Sequence, residues 1–218
     1  MEQADVVIVG ARCAGTAAAA PLARAGRRVV VLDRMRFPSD QLSTHALQPS
    51  GASEIAKLGA MSRVLALEPA LVRWVRVQAE DAVCFERLRP ADDGTDFGLC
   101  IPRDLLDVEL VGAVRDQGAD VREGCAVDDL VWRAGRVTGV RYRDADGATR
   151  EIAAKLVVGA DGRRSTVAGL VGARSPYRVS RNGRGLVFRY LDDAHPGPRE
   201  AETECQWREG DSFAFLFP

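Results

Sequence analysis

The first 33 residues contain the clearest succession of strand and helix patterns in the chain. Residues 6–9 form a short β-branched apolar run, which is typical of a strand buried on both faces of a parallel sheet. An alanine-rich segment over residues 13–25 predicts a helix, closed by Gly26, and residues 29–32 predict a second buried strand. Pro21 lies inside that helix and should kink or restart it. The segment therefore predicts a β-α-β unit.

The rest of the chain alternates between helical and strand patterns. Helices are predicted over residues 49–58, over residues 62–67 and from Pro102 onward, where proline and acidic residues open an apolar helix. From Leu71 the pattern changes to the alternation of half-buried antiparallel strands. Such strands are predicted at residues 83–87, 95–100, 126–132, 137–142, 149–153, 185–191, 203–208 and 212–217, with a buried strand at 156–158.

The turn between the first strand and the first helix is rich in glycine. It reads Gly10-Ala11-Arg12-Cys13-Ala14-Gly15, which matches the dinucleotide fingerprint G-x-G-x-x-G except that an arginine replaces the middle glycine. A helix that begins on such a turn directs unpaired N–H groups and its positive dipole end at one point, where a pyrophosphate binds well. Asp33 ends the second strand, where a carboxylate can accept hydrogen bonds from a ribose. Alternatively, Asp33 is a turn or capping residue.

Three further features suggest binding chemistry. The long irregular segment after Asp33 contains Ser43, Thr44 and His45, which suit contact with a flat heteroaromatic ring. His45 is either a base or a histidine satisfied by the backbone. Arg103 lies at a helix start, where the dipole disfavours a cation, so it either meets an anion or is exposed. Finally, Asp161-Gly162 follows a buried strand, at the sheet edge where ligands bind in such folds; Ser165 follows near the start of a helix.

Composition excludes several classes of function. The net charge of −1 gives no reason to expect nucleic acid as a partner. No apolar run approaches the roughly 20 residues that span a bilayer, and the acidic start is unlike a signal peptide. The five cysteines are scattered without a C-x-x-C motif, which disfavours a metal site or disulfide framework and favours a cytoplasmic location.

Together, three stretches resemble one flavoprotein family. They are the glycine turn with Asp33 and Arg34, the R-x-x-L pattern that starts at Arg103, and residues 159–165, which include Asp161-Gly162. The chain resembles the class A FAD-dependent monooxygenases of the para-hydroxybenzoate hydroxylase type, in the branch shared with geranylgeranyl-reductase-like proteins. This resemblance implies an α/β fold with a Rossmann-like FAD-binding domain of the glutathione-reductase type, a parallel sheet plus a β-meander. It also implies part of an antiparallel substrate-domain sheet. The FAD-binding domain would comprise residues 1–70 and 100–172, and the substrate sheet residues 71–99 and 173–218.

The resemblance assigns roles to individual residues. The turn would surround the FAD pyrophosphate, Asp33 would hold the adenosine ribose with Arg34 beside the adenine, and Arg103 would lie near the pyrophosphate. The remaining implied contacts are backbone contacts of Val127 to adenine, Asp161 and Gly162 in the motif linked to FAD and the nicotinamide donor, and Ser43, Thr44 and His45 near the flavin.

The implied function is an FAD-dependent oxidoreductase with NAD(P)H as transient donor, a monooxygenase that hydroxylates or epoxidises a small aromatic, polyketide-like or terpenoid-like substrate. Alternatives are a double-bond reductase of the geranylgeranyl reductase type, a truncated FAD-binding module inactive without its C-terminal part, and an NAD-dependent dehydrogenase, which Asp161-Gly162 disfavours. Halogenation is disfavoured because no W-x-W-x-I-P motif is present. Family members are typically much longer, so the chain is expected to be an N-terminal part of an enzyme or one half of a split protein that lacks its C-terminal half. Its expected partners are a small-molecule substrate and either a second copy of the chain or that missing half.

Overall fold

The fold is that of a computed structural model, which describes residues 2–43, 45–175, 185–192 and 197–218. Five α-helices lie in these residues: α1 Cys13–Arg24, α2 Pro49–Lys57, α3 Met61–Leu65, α4 Arg103–Asp116 and α5 Thr166–Leu170. Thirteen strands lie there too: β1 Glu2–Val9, β2 Val29–Asp33, β3 Ala46–Leu47, β4 Ala70–Val72, β5 Trp74–Ala79, β6 Ala82–Arg87, β7 Gly98–Cys100, β8 Asp120–Glu123, β9 Ala126–Arg133, β10 Arg136–Arg143, β11 Thr149–Gly159, β12 Thr203–Glu209 and β13 Ser212–Leu216. A short 3₁₀ helix covers Glu200–Glu202.

Two compact units divide the chain. The first contains residues 1–45, 54–68 and 101–174, and the second contains residues 46–53, 69–100 and 175–218. The mixed α/β architecture, with a partly parallel sheet and further antiparallel pairing, is the predicted fold class.

The first unit is built on a six-stranded sheet in the order β8-β2-β1-β11-β10-β9. Strands β8, β2, β1 and β11 are parallel, whereas β9, β10 and β11 form an antiparallel meander. One apolar cluster joins the parallel strands to the meander and to α5, with Val7, Leu32, Val140 and Ile152 fully buried. The predicted β-α-β unit and meander are therefore confirmed, and both lie in one sheet.

Strand β11 differs from its prediction. The sequence suggests two strands separated at Ala154-Lys155, but the structure has one strand of 11 residues. Its first part pairs with β10, and from Ile152 onward it pairs with β1. Lys155 interrupts the apolar pattern without interrupting the backbone ladder, because its ammonium group lies at the surface, 2.8 Å from the carboxylate of Asp5.

Helix α1 continues through Pro21 to Arg24, so the helix does not restart at the proline, which was one of the two expected outcomes. The ring costs one backbone hydrogen bond, but buried alanines on the same helix, including Ala19, Ala20 and Ala23, hold it in place. The helix ends one residue before its predicted end, and Gly26 follows with a positive φ of 70°.

The second unit contains two sheets. One is antiparallel, in the order β3-β7-β4. The other has the order β13-β12-β5-β6, in which β5 and β12 are parallel neighbours and the outer pairs are antiparallel. The predicted strand at residues 95–100 is limited to β7, because Asp93 and Thr95 form a turn instead.

The strand predicted over residues 185–191 is wrong. Residues 185–192 form no helix or strand, and Val187 is 96% exposed. Apolar β-formers adopt a strand only when a neighbouring strand completes their hydrogen bonds and packs against their side chains. Within the part of the chain that the structure describes, this segment has no such neighbour.

Candidate functional site

The glycine turn is tightly packed at the carboxyl end of β1. Gly10 has a φ of +103°, and a Cβ there would lie 2.4 Å from the carbonyl oxygen of Ala160. A Cβ on Gly15 would lie 1.7 Å from the carbonyl oxygen of Gly10. Side chains fit at neither position, so these two glycines allow α1 to start directly against the ends of β1 and β11.

The start of α1 suits an anion. Arg12 precedes the helix in an extended conformation, and no side chain caps the helix or places an acid in its first turn. The first N–H groups of a helix lack intrahelical acceptors, and the helix dipole adds positive potential there. This 12-residue helix therefore presents an electropositive end beside Gly10.

Asp33 lies directly across this turn. It is 7% exposed, and its carboxylate accepts hydrogen bonds from the backbone N–H of Ala11 at 2.7 Å and of Met35 at 2.8 Å. A carboxylate has about four acceptor positions, so further donors can still bind. The backbone carbonyl of Asp33 accepts from Cys125 N–H at 2.8 Å, which places Val127, two residues later, near the same strand end.

Two predicted residues, Arg12 and Arg103, meet at a third residue that was not predicted to belong to the site. Asp107 lies one turn into α4, and its side chain is fully buried. Arg12 forms an ion pair with this carboxylate and also donates to the carbonyl of Ser39 at 3.0 Å. Arg103 donates from Nε and Nη2 to the same carboxylate at 2.9–3.1 Å. Arg103 is therefore largely buried and paired, not exposed.

Cys13 belongs to the same cluster, with its Sγ 3.7 Å from Asp107 Oδ1. Burial raises the pKa of this thiol, while the nearby charge of Arg103 opposes the rise and that of Asp107 adds to it. The thiol is therefore protonated at neutral pH and acts as a weak donor to the carboxylate.

Asp161 lies against Gly10, because the Gly10 Cβ position would be 3.1 Å from the Asp161 Cα atom. Its carboxylate accepts from the Ser165 hydroxyl at 2.5 Å and from the Thr166 N–H at 2.6 Å. Ser165 in turn caps α5 by accepting from Ala168 N–H at 2.9 Å. Gly162 follows in a left-handed conformation, with φ at +81°. The carboxylate of Asp161 thus stabilises the turn that brings this backbone to the site.

The remaining predicted residues are His45, Ser43, Arg34 and Thr44. His45 has a φ of +59°, and its carbonyl accepts a hydrogen bond from Ile101 N–H at 2.8 Å. Because Ile101 lies two residues before Arg103, this bond places the His45 backbone near the start of α4. Ser43 accepts a hydrogen bond from His45 N–H at 3.3 Å. Arg34 is exposed, and no side-chain contact joins it to the cluster within the described residues. Thr44 lies outside the described residues.

A signal for Asp107 was present in the sequence. Arg103 and Asp107 are four residues apart, a spacing that places an arginine and an aspartate on one helix face. That face also contains the buried Leu106 and Leu110, so an aspartate there had to be paired.

The chain is similar to several known proteins. A family model described as an FAD binding domain matches residues 3–192. Menaquinone reductase of Mycolicibacterium smegmatis is 33% identical over 183 residues, which are 78% of this chain and 40% of that protein. Squalene epoxidase 2 of Arabidopsis thaliana is 29% identical over 172 residues, 72% of this chain and 27% of that protein. The chain thus spans less than half the length of either relative.

The fold also matches solved structures. The FAD-dependent halogenase CndH, a myxobacterial chondrochloren halogenase, superposes with a TM-score of 0.82 at 24% identity, covering 100% of this chain and 50% of that one. At this identity the match establishes the fold alone. Separately, no helix in the described ranges is both long and apolar enough to cross a membrane.

Proposed function

Because the chain belongs to the FAD-binding domain family, we propose that it forms the FAD-binding part of a flavin-dependent oxidoreductase. NAD(P)H is the proposed electron donor, and a small apolar organic molecule is the proposed substrate. The observation that supports this most directly is the placement of Asp33 across the glycine turn, with its carboxylate 2.7 Å from the Ala11 nitrogen.

The residues present fit the adenosine diphosphate half of FAD. The uncapped start of α1 suits a pyrophosphate, and the close packing of Gly10 and Gly15 keeps side chains out of its approach. The Asp33 carboxylate, with acceptor positions beyond its two backbone donors, suits the ribose hydroxyls. Gly10 to Gly15 would hold the pyrophosphate, Asp33 the ribose, and the backbone near Val127 the adenine.

Bound FAD supplies the redox chemistry, which is electron transfer between the nicotinamide donor and a substrate or oxygen. The chain's own residues bind and orient the cofactor. Arg103 lies at the start of α4, and the His45 carbonyl accepts a hydrogen bond from Ile101 just before that helix, so both would hold the part of FAD between the pyrophosphate and the flavin. No acid or base is assigned to a proton transfer.

Reduction of the substrate is the first candidate activity, because the mycobacterial relative at 33% identity is named a reductase. Oxygenation, the activity predicted from the sequence, is supported by the relative named an epoxidase. The substrate of both named relatives is an apolar molecule, menaquinone or squalene, which supports an apolar substrate for this chain.

Cofactor binding can be tested on the purified chain by titration with FAD, FMN and NAD, monitored by flavin fluorescence and nucleotide displacement. We expect FAD to bind at least about tenfold more tightly than FMN, because FMN lacks the adenosine diphosphate half that Asp33 and the turn would contact. The matched variant D33N should reduce this preference. Equal binding of FAD and FMN by a folded chain, or binding of NAD alone, would contradict the proposal.

The two candidate activities differ in what reoxidises the reduced cofactor. The FAD-loaded protein is reduced with NADPH without oxygen, and is then mixed either anaerobically with a menaquinone or with squalene, or with squalene in air. Anaerobic reoxidation by the menaquinone supports a reductase. Reoxidation that requires oxygen and yields an oxygenated squalene supports a monooxygenase and rules out the reductive candidate.

A further inference from the structure

The Arg12–Asp107–Arg103 cluster is unusual because its central acid is completely buried. Removing a carboxylate from water is costly unless cations and hydrogen bonds compensate for it. Here both carboxylate oxygens accept from guanidinium groups, one of which is four residues away on α4 and the other on the loop before α1. Asp107 therefore joins the start of α4 to the start of α1.

The charges of this cluster do not balance. Two guanidinium groups face one carboxylate, so the cluster has a net charge of about +1. Arg12 immediately precedes α1, and Arg103 is the first residue of α4. The dipole at a helix N-terminus disfavours cations at both positions, and although Asp104 offsets it in the first turn of α4, no acid does so in the first turn of α1. An anion bound at this point would remove that penalty.

The arginines also retain donors. Arg103 uses Nε and Nη2 for Asp107, and among the described residues its Nη1 group contacts no acceptor. Arg12 uses Nη1 for Asp107 and Ser39, and Nη2 for the Ser39 hydroxyl at 3.0 Å. Its guanidinium also lies 5.4 Å from the centre of the Phe37 ring. Both guanidinium planes are thus fixed while some N–H groups stay available.

We propose that Asp107 is a positioning residue for the FAD pyrophosphate: its buried carboxylate holds Arg12 and Arg103 with their remaining N–H groups directed to the phosphates. This inference rests on the proposed function. It also explains how an arginine occupies the middle position of the glycine fingerprint, since Asp107 and Ser39 fix the side chain instead of leaving it in the space of the cofactor.

The test is FAD affinity in the full chain carrying D107N. Asparagine keeps the shape but loses the charge that fixes both arginines, so we expect FAD to bind about tenfold more weakly. If net charge alone determined FAD affinity, D107N would strengthen binding, because it removes a negative group beside a bound anion. Riboflavin, which lacks the pyrophosphate, should bind D107N and the unmodified chain equally. The matched control is E109Q, on the same helix, where the acid pairs with Arg63 instead.

A double-mutant cycle separates positioning from a purely structural link. In a background carrying R12Q and R103Q, D107N should change FAD affinity by less than about twofold, because it then has no arginine to position. Tighter FAD binding by D107N, or equal losses of FAD and riboflavin binding, would overturn the proposal. If circular dichroism shows that D107N does not fold, R103K is the variant to test. Lysine keeps the charge but loses the planar guanidinium that Asp107 orients, so FAD should bind R103K more weakly. Unchanged FAD affinity in R103K would overturn the proposal. Failure of the unmodified chain to bind FAD would instead refute the proposed function.

Discussion

Replacing Gly15 by alanine tests the packing on which the whole site depends. Gly15 is the third residue of α1, and its α-carbon faces the Gly10 peptide. An alanine Cβ would lie 1.7 Å from the Gly10 carbonyl oxygen and 2.8 Å from its carbonyl carbon. Both atoms are backbone, so no side-chain rotation relieves the overlap, and the start of α1 must move away from the turn.

Two opposing effects determine how much G15A changes the free energy of unfolding. Alanine within a helix is favoured over glycine by about 1 kcal/mol. Against this, the Cβ–O distance must increase by roughly 1.3 Å to reach 3.0 Å, the lower limit of real contacts, and overpacking of this kind costs about 1–3 kcal/mol or more. The difference between the two terms is a loss of up to about 2 kcal/mol in the free energy of unfolding of G15A. We also expect G15A to weaken FAD binding at least about tenfold, since the site is displaced by about 1 Å.

The assay is urea unfolding followed by far-UV circular dichroism, together with FAD titration by fluorescence. The matched control is G112A in α4, where the nearest atom is the end of the flexible Arg63 side chain at 3.0 Å. There helix propensity should dominate and raise the free energy of unfolding by about 0.5 kcal/mol. If G15A is as stable as G112A and binds FAD normally, the steric reasoning is wrong.

Three other contacts can be tested by single substitutions. Substituting Asp33 with alanine leaves the Ala11 N–H without its acceptor and should cost about 1–3 kcal/mol by urea unfolding, with weaker FAD binding; an unchanged midpoint would contradict this role. The hydrogen bond from Lys155 holds the pKa of Asp5 down, at about 2 against an ordinary value of 3.8. Stability from Asp5 is thus full above about pH 4 and lost as the pH falls toward 2, so D5N should flatten that part of a melting-temperature profile, whereas an identical profile would refute the coupling. S165A removes the cap of α5 and should lower the free energy of unfolding by about 1 kcal/mol, unlike S165T, which keeps the hydroxyl.

The elements around the glycine turn are predictable because their signals are local. The β-branched residues of β1 and β2 read as buried strands, and α1 begins at Cys13 as predicted. The fold class and the FAD family were predicted, and the family match confirms them. The residue roles and the domain boundaries remain predictions, although the structure brings Asp33 and Asp161 to the same turn.

What the sequence could not supply depends on distant partners. The local spacing indicates the pairing of Asp107 with Arg103, but its second partner, Arg12, lies 95 residues away and no local pattern indicates it. The continuity of β11 likewise depends on β1, whose backbone pairs across the polar Lys155. Residues 185–191 show the reverse case: a strand is predicted there but none forms, because strong local strand propensity has no neighbouring strand to pair with in the described residues.

The irregular glycine fingerprint shows how distant contacts determine which positions of a motif require glycine. Glycine is required sterically at Gly10, for its positive φ and its contact with Ala160, and at Gly15, for its contact with the Gly10 carbonyl. Arg12 has φ of −83° and ψ of −166°, an extended conformation that any residue adopts, so the backbone at this position does not demand glycine. What the middle position requires is room for the pyrophosphate, and a side chain tied to Asp107 can leave that room. In this chain, the pairing of Arg12 with Asp107 and Ser39 therefore makes an arginine at the middle position compatible with the fingerprint.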